Sequence, residues 1–123
     1  MSKIVPNILI CEDDDIVIAI FQVRLRHAGY NILIAPNGKA GLDILDENPN
    51  IDLIISDLIM PEMGGLELIT EVRSRKLTMP ILVISALAEM KIVEEAYSLG
   101  ANDFITKPFK PDEIVIRIKN QLR

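Results

Sequence analysis

Five short aliphatic runs most constrain how this chain can fold: residues 7–11, 31–35, 52–56, 81–85 and 103–106. They are rich in Ile, Val and Leu and tend to be apolar at consecutive positions rather than alternate ones. A strand with one wet face alternates polar and apolar residues. A strand covered on both faces need not, and that is the habit of parallel sheets. The segments between the runs have helical spacing. Residues 15–28 carry Val17, Phe21 and Ala28 on one stripe, and residues 39–46 carry Leu42 and Leu45. Residues 66–75 carry Leu66, Ile69 and Val72, and residues 89–99 carry Val93, Ala96 and Tyr97. Residues 112–123 repeat Ile114, Ile118 and Leu122, with Pro111 suited to a first helical position. Five alternations of strand and helix, joined by right-handed crossovers, predict one α/β domain over residues 1–123. Its core is a doubly wound, five-stranded parallel sheet with helices on both faces.

In such a sheet the functional site lies at the carboxyl ends of the strands. The first run ends in Glu12-Asp13-Asp14-Asp15, the third in Ser56-Asp57, the fourth in Ser85-Ala86 and the fifth in Lys107-Pro108. Carboxylates, a hydroxyl and an ammonium therefore converge on one edge. Clustered carboxylates repel unless a cation joins them, and hard carboxylate oxygens suit Mg²⁺ or Mn²⁺. A metal and a lysine around one Asp also suit a dianionic phosphoryl group. Helix capping and the helix dipole explain Asp14 and Asp15 without any ligand. They explain Glu12 and Asp13 less well, and Asp57 not at all. Ser85 or Lys107 alone would be unremarkable, and the weight lies in their coincidence with the acids.

Composition excludes several alternatives. The formal charge is −5, so there is no excess of basic residues for sequence-independent nucleic-acid binding. The single cysteine, Cys11, and the single histidine, His27, cannot build an internal disulfide or a Cys/His zinc site. Cys11 reads as a small buried hydrophobe, and His27 as a surface residue at a helix end. No run approaches a membrane span, and the Ile8–Cys11 stretch stops too soon for a signal peptide. These features predict a cytoplasmic location. No Walker loop or dinucleotide fingerprint is present.

The motifs resemble the receiver domain of two-component response regulators. The matching pieces are Ile8-Leu9-Ile10-Cys11-Glu12-Asp13-Asp14 and Asp57-Leu58-Ile59-Met60-Pro61-Glu62-Met63-Gly64-Gly65 in the first half. In the second half they are Pro80-Ile81-Leu82-Val83-Ile84-Ser85-Ala86 and Gly100-Ala101-Asn102-Asp103-Phe104-Ile105-Thr106-Lys107-Pro108-Phe109. The resemblance implies a flavodoxin-like (βα)5 fold. It implies that Asp57 accepts a phosphoryl group from a sensor histidine kinase or phosphotransfer protein. It assigns Mg²⁺ to Asp13, Asp57 and the Ile59 carbonyl, with Glu12 acting through a bound water. Lys107 would pair with Asp57, Ser85 would donate to the phosphoryl group, and Phe104 would hold the switch-aromatic position. The Lys107–Pro108 bond would be cis.

Against the family pattern, Ser85 stands where Thr is commoner, Phe104 lacks a phenolic OH, and Ile59 and Leu87 are apolar where polar side chains are frequent. Two other readings stay open. An Asp-nucleophile phosphohydrolase would typically need a second acid at position 59, which is Ile. A non-phosphorylated binding module would be favoured by loss of an acid or Lys107, yet all are present. By resemblance, the partner surface for an output domain or target is formed by the fourth helix, fifth strand and fifth helix. Asp103, Glu113, Arg117 and Lys119 partly match the charge pairs used there for homodimers, although Val93 and Leu99 interrupt them. Glu113 and Arg117 could equally be an i,i+4 pair on one helix. The chain ends near the end of a fifth helix, which leaves a stand-alone receiver and a piece of a longer regulator equally open. Neither direct nucleic-acid binding nor membrane association is expected of this domain.

Overall fold

A computed structural model describes residues 4–123, so residues 1–3 of the expected domain lie outside the described residues. The strands are β1 (Asn7–Cys11), β2 (Asn31–Ala35), β3 (Ile51–Asp57), β4 (Ile81–Ser85) and β5 (Asp103–Thr106). Alternating with them are α1 (Asp15–His27), α2 (Gly38–Glu47), α3 (Gly65–Ser74), α4 (Met90–Leu99) and α5 (Pro111–Gln121). All strand pairs are parallel, in the order β2-β1-β3-β4-β5. The chain reverses its direction of winding between β1 and β3, which opens a crevice above their carboxyl ends.

The doubly buried strands divide their side chains by period two, except at the start of β3, where the pairing with β1 shifts register and Ile51 joins the same core as Ile54. Leu9, Ile54, Ile81 and Val83 face a core shared with Leu42, Leu68, Ile69, Val72 and Ala96 of α2, α3 and α4. Ile8, Ile10, Leu53, Ile55, Leu82 and Ile84 face the other core, with Phe21 and Leu25 of α1 and Ile114 and Ile118 of α5. Consecutive apolar residues thus serve two cores at once, which explains the unbroken aliphatic runs.

The element ends differ from the predicted ones by one or two residues. β3 is longer at both ends than residues 52–56, because Ile51 pairs with Asn7 and Asp57 pairs with Ile84. Asn37 caps α2 through Ala40 N–H and starts it at Gly38 rather than at residue 39. Glu89 is the N-cap of α4 rather than its first residue. α1 stops at His27 with Ala28 as its cap, and α5 stops at Gln121 with Leu122 as its cap rather than reaching residue 123. α3 runs one residue earlier than 66–75, because Gly65 already enters the helix as its amide donates to Leu58 O at 2.9 Å. As expected, Pro111 opens α5, and the Lys107–Pro108 bond is cis. Among the described residues no helix is long and apolar enough to cross a membrane.

Close approach explains the paired glycines at the start of α3, Gly64 as its N-cap and Gly65 as its first residue. A Cβ at Gly65 would overlap the Asp57 carbonyl oxygen and stand 3.0 Å from Leu58 Cα. Backbone cannot swing away as a flexible side chain can. Gly65→Ala is therefore expected to lower the unfolding free energy by about 2 kcal/mol, as overpacking typically does. Urea denaturation measures this, and an unchanged midpoint would contradict it.

Candidate functional site

The site is assembled from the loop ends of β1, β3 and β5. Glu12 directly follows β1 and is fully buried, and Asp57 closes β3 at 7% exposure. The Lys107 ammonium stands between them, 2.9 Å from Glu12 Oε2 and 2.6 Å from Asp57 Oδ2. The second oxygen of each carboxylate is held by backbone. Glu12 Oε1 accepts from the amides of Asp13 and Asp14 at 3.2 and 3.1 Å. Asp57 Oδ1 accepts from the amides of Leu58 and Ile59 at 2.6 and 3.3 Å. Each buried carboxylate is thus fixed by two peptide N–H groups and one shared ammonium, as buried charge requires.

Asp13 is exposed beside this pair, and carboxylate oxygens of Glu12, Asp13 and Asp57 lie within 4.8 Å of one another. One ammonium does not balance three carboxylates. The donor set is all hard oxygen, with one carboxylate open to solvent, and that fits a divalent ion such as Mg²⁺. Asp14 contributes differently: its side chain caps α1 by accepting from Ile16 N–H at 2.9 Å.

Burial pushes the Glu12 carboxyl above its ordinary range, and the nearby Asp57 charge adds to this. The hydrogen bonds from Lys107 and the Asp14 amide oppose the rise without cancelling it. Burial alone would pull Lys107 down, but its hydrogen bonds to Asp57 and Glu12 hold it above the usual lysine value. Cys11 is buried beside the strand end, and burial pushes its thiol up to about 12, which removes it as a nucleophile.

Other expected residues sit apart from this cluster. Ser85 is fully buried at the end of β4, and its Oγ accepts from Leu87 N–H at 2.9 Å in a tight side-chain turn. No hydrogen bond joins its hydroxyl to Asp57 or Lys107; the link to Lys107 is between backbones, from Lys107 N–H to Ser85 O at 2.8 Å. Phe104 is half-buried on β5, beside Val83, and packs on the core shared with α3 and α4. Ile59 and Leu87 are 64% and 38% exposed at the loops after β3 and β4. The Ile59 amide touches Asp57, so its peptide borders the site.

Several features escaped sequence reasoning. Lys107 pairs with Glu12 as well as Asp57, which needs tertiary knowledge of how far each side chain reaches. An open, mostly apolar cavity of about 340 Å³ adjoins the site, lined by Val17, Ile20, Ala86, Lys107, Pro108 and Phe109. On the α4–β5–α5 face, the pairing within α5 is secondary. Arg117 Nη1 reaches both Asp103 carboxylate oxygens at 2.8 Å, while Glu113 lies 4.0 Å from Arg117 Nη2. Val93 and Leu99 are half-buried, and Leu99 packs against the core.

The match to a family of known proteins is extensive. The model of the response regulator receiver domain matches residues 8–119. Response regulator SaeR of Staphylococcus aureus is 32% identical over 116 residues, which cover 94% of this chain and 50% of that protein. The chain therefore spans about half the length of the curated relatives it matches. Chemotaxis protein CheY4 of Vibrio cholerae superposes with a TM-score of 0.90 at 26% identity, covering 97% of this chain and 100% of that one. CheY of Borrelia burgdorferi, in a complex with CheX, BeF3 and Mg²⁺, superposes with a TM-score of 0.89 at 26% identity, covering 94% and 87%.

The raised Glu12 value has a consequence for stability in metal-free buffer. Between the unfolded value near 4.5 and the higher folded value, the folded chain holds a proton that the unfolded chain has released. Stability from this group is therefore present at low pH and lost as pH rises through that window. The native chain is expected to lose stability relative to Glu12→Gln as pH rises above about 4.5. Urea midpoints of the two proteins across that range measure it, and a pH-independent difference would contradict it.

Proposed function

The chain belongs to the response regulator receiver domain family, and on that basis we propose that it is a Mg²⁺-dependent phosphorylation switch with Asp57 as phosphoacceptor. Receivers of two-component systems generally do not act as enzymes on external substrates. In the proposed reaction this domain instead catalyses its own phosphorylation and dephosphorylation, and residues 1–123 form one receiver domain. The observation that carries the reading is the position of Asp57: nearly buried, with one oxygen on two amides and the other on Lys107.

A phosphohistidine of a sensor kinase or phosphotransfer protein supplies the phosphoryl group. An Asp57 carboxylate oxygen forms the new O–P bond as the N–P bond breaks, and the bonding electrons stay with the departing imidazole nitrogen. Little covalent help is needed, but charge must be neutralised and groups held in line. Lys107 is placed to move from an Asp57 oxygen to a phosphoryl oxygen. Asp13, Asp57 and the Ile59 carbonyl would hold Mg²⁺, with Glu12 acting through a water. The ion would supply positive charge against the transferring oxygens. The apolar cavity that Lys107 shares with Val17, Ile20 and Phe109 gives a donor protein a surface beside the site.

In this reading the Ser85 hydroxyl, whose oxygen accepts from Leu87 N–H, moves to donate its proton to a phosphoryl oxygen, a charge-assisted acceptor. Phe104, which has no OH to anchor it outward, follows into the vacated apolar space. That movement alters the α4–β5–α5 face for an output domain, a target or a second copy.

The decisive experiment treats the protein with Mg²⁺ and acetyl phosphate, traps the acyl phosphate with borohydride and maps the product. Modification at Asp57 is expected. Modification elsewhere, with Asp57 untouched, would overturn the reading.

The phosphorylated state is expected to be long-lived. In receivers, side chains at positions 59 and 87 border the path of the attacking water. Here Ile and Leu exclude water and cannot orient it. Each lost orienting contact of about 1.4 kcal/mol slows hydrolysis roughly tenfold, giving persistence over many minutes to hours. Loss of labelled phosphate after donor removal measures this. Ile59→Asn with Leu87→Glu should decay faster; decay of the native chain within seconds would refute the apolar gate.

A further inference from the structure

The loop that carries Ile59 is shaped by a turn of unusual geometry. Glu62 has a φ of 66°, a left-handed value that is costly for a residue with a side chain. Around it, Met63 N–H donates to Pro61 O at 2.7 Å, an i to i+2 bond of the kind that closes a rare and strained γ-turn. Such strain persists only where neighbouring structure holds it.

The neighbour is the loop between β2 and α2. Asn37 is 7% exposed, and both ends of its amide are committed. Its Oδ1 accepts from Ala40 N–H at 2.8 Å, capping α2, and its Nδ2 donates to Glu62 Oε2 at 2.9 Å. One residue later, Gly38 N–H donates to Met63 O at 2.8 Å. A Cβ at Gly38 would stand 2.8 Å from Met63 Cγ, so the two loops are in close contact there. At the far end of the same loop, Gly65 N–H donates to Leu58 O at 2.9 Å. The segment between Asp57 and α3 is thus closed end to end by the Leu58–Gly65 bond and held in its middle, at Glu62 and Met63, by the loop that carries Asn37.

We propose that Asn37 is a positioning residue for the cation and phosphoryl site, acting through Glu62 to fix the loop that presents Ile59 beside Asp57. The proposal rests on the receiver reading above, because the Ile59 carbonyl is a metal ligand only there. α2 and its capping residue otherwise lie outside the site chemistry. The latch gives them a part in it: the amide of one loop sets the peptide geometry of another.

The test separates the latch from the cap. Asn37→Asp keeps an oxygen to cap α2 but turns a carboxylate toward Glu62, so the latch opens by repulsion. Combining Asn37→Asp with Glu62→Gln restores one donor and one acceptor. Calorimetric titration with Mg²⁺ is expected to show about fivefold weaker binding for Asn37→Asp, equivalent to ~1 kcal/mol, and recovery in the double variant. In metal-free protein, amide exchange at Ile59 should speed up in Asn37→Asp and return toward native in the double variant. Unchanged binding and exchange in Asn37→Asp would overturn the latch. Weakened binding without recovery in the double variant would also overturn it. Asp13→Ala distinguishes the underlying reading: if it leaves Mg²⁺ binding intact, the metal site itself is misplaced and both proposals fall.

Discussion

Everything at the functional edge depends on one ammonium between two buried carboxylates. Lys107 joins the ends of β1, β3 and β5 through Glu12 and Asp57. Removing ions from water is costly, and mutual attraction repays it only when every oxygen is satisfied. Here the backbone completes the set, with two amides on Glu12 and two on Asp57. The arrangement still leaves negative charge in excess, because Asp13 adds a third acid beside the pair. Burial raises the Glu12 carboxyl above its usual range, and the Asp57 charge adds to the rise. A site built this way is organised in advance for added positive charge.

The two ends of the sheet are held by different means. At the end opposite the site, the Arg73 guanidinium donates to the carbonyls of Leu77, Met79 and Gly100 and to the Asn102 side chain. It thereby ties the end of α3 to the start of β4 and the end of α4. Its acceptors are neutral, and burial lowers its pKa. At the site end, α4 begins after an exposed stretch, 86–89, with no side-chain cap at Glu89. A helix anchored at its far end and loosely started beside the site is suited to pass a local change outward. Phe104 lies on the strand next to β4, packed on the same core as α4.

The α4–β5–α5 face already satisfies part of its own charge. Asp103 and Arg117 pair within the chain at 2.8 Å, and the Asp103 hydrogen bond raises the Arg117 pKa. Any partner that recruits either group must compete with that pair or join it. Exposed Met90, Tyr97 and Ile116 supply apolar area on the same elements. Recognition there would combine apolar contact with rearranged ion pairs, which gives specificity more readily than affinity.

The sequence by itself determined the architecture and most of the site. Period and composition sufficed because each strand must bury two faces, and unbroken runs such as Leu53–Ser56 leave few alternatives. The acids and Lys107 were legible because they interrupt those runs at one end. Their roles came from resemblance to a family, not from spacing. Only the tertiary structure decided how these groups share hydrogen bonds. It placed Glu12 on Lys107, turned Ser85 toward its own loop, and moved Arg117 from Glu113 to Asp103. It also joined Asn37 to Glu62, residues that no sequence period relates. The physical reason is range. Burial patterns repeat along the chain and can be read locally, whereas a hydrogen bond is won or lost over a few tenths of an ångström between segments that meet only after folding.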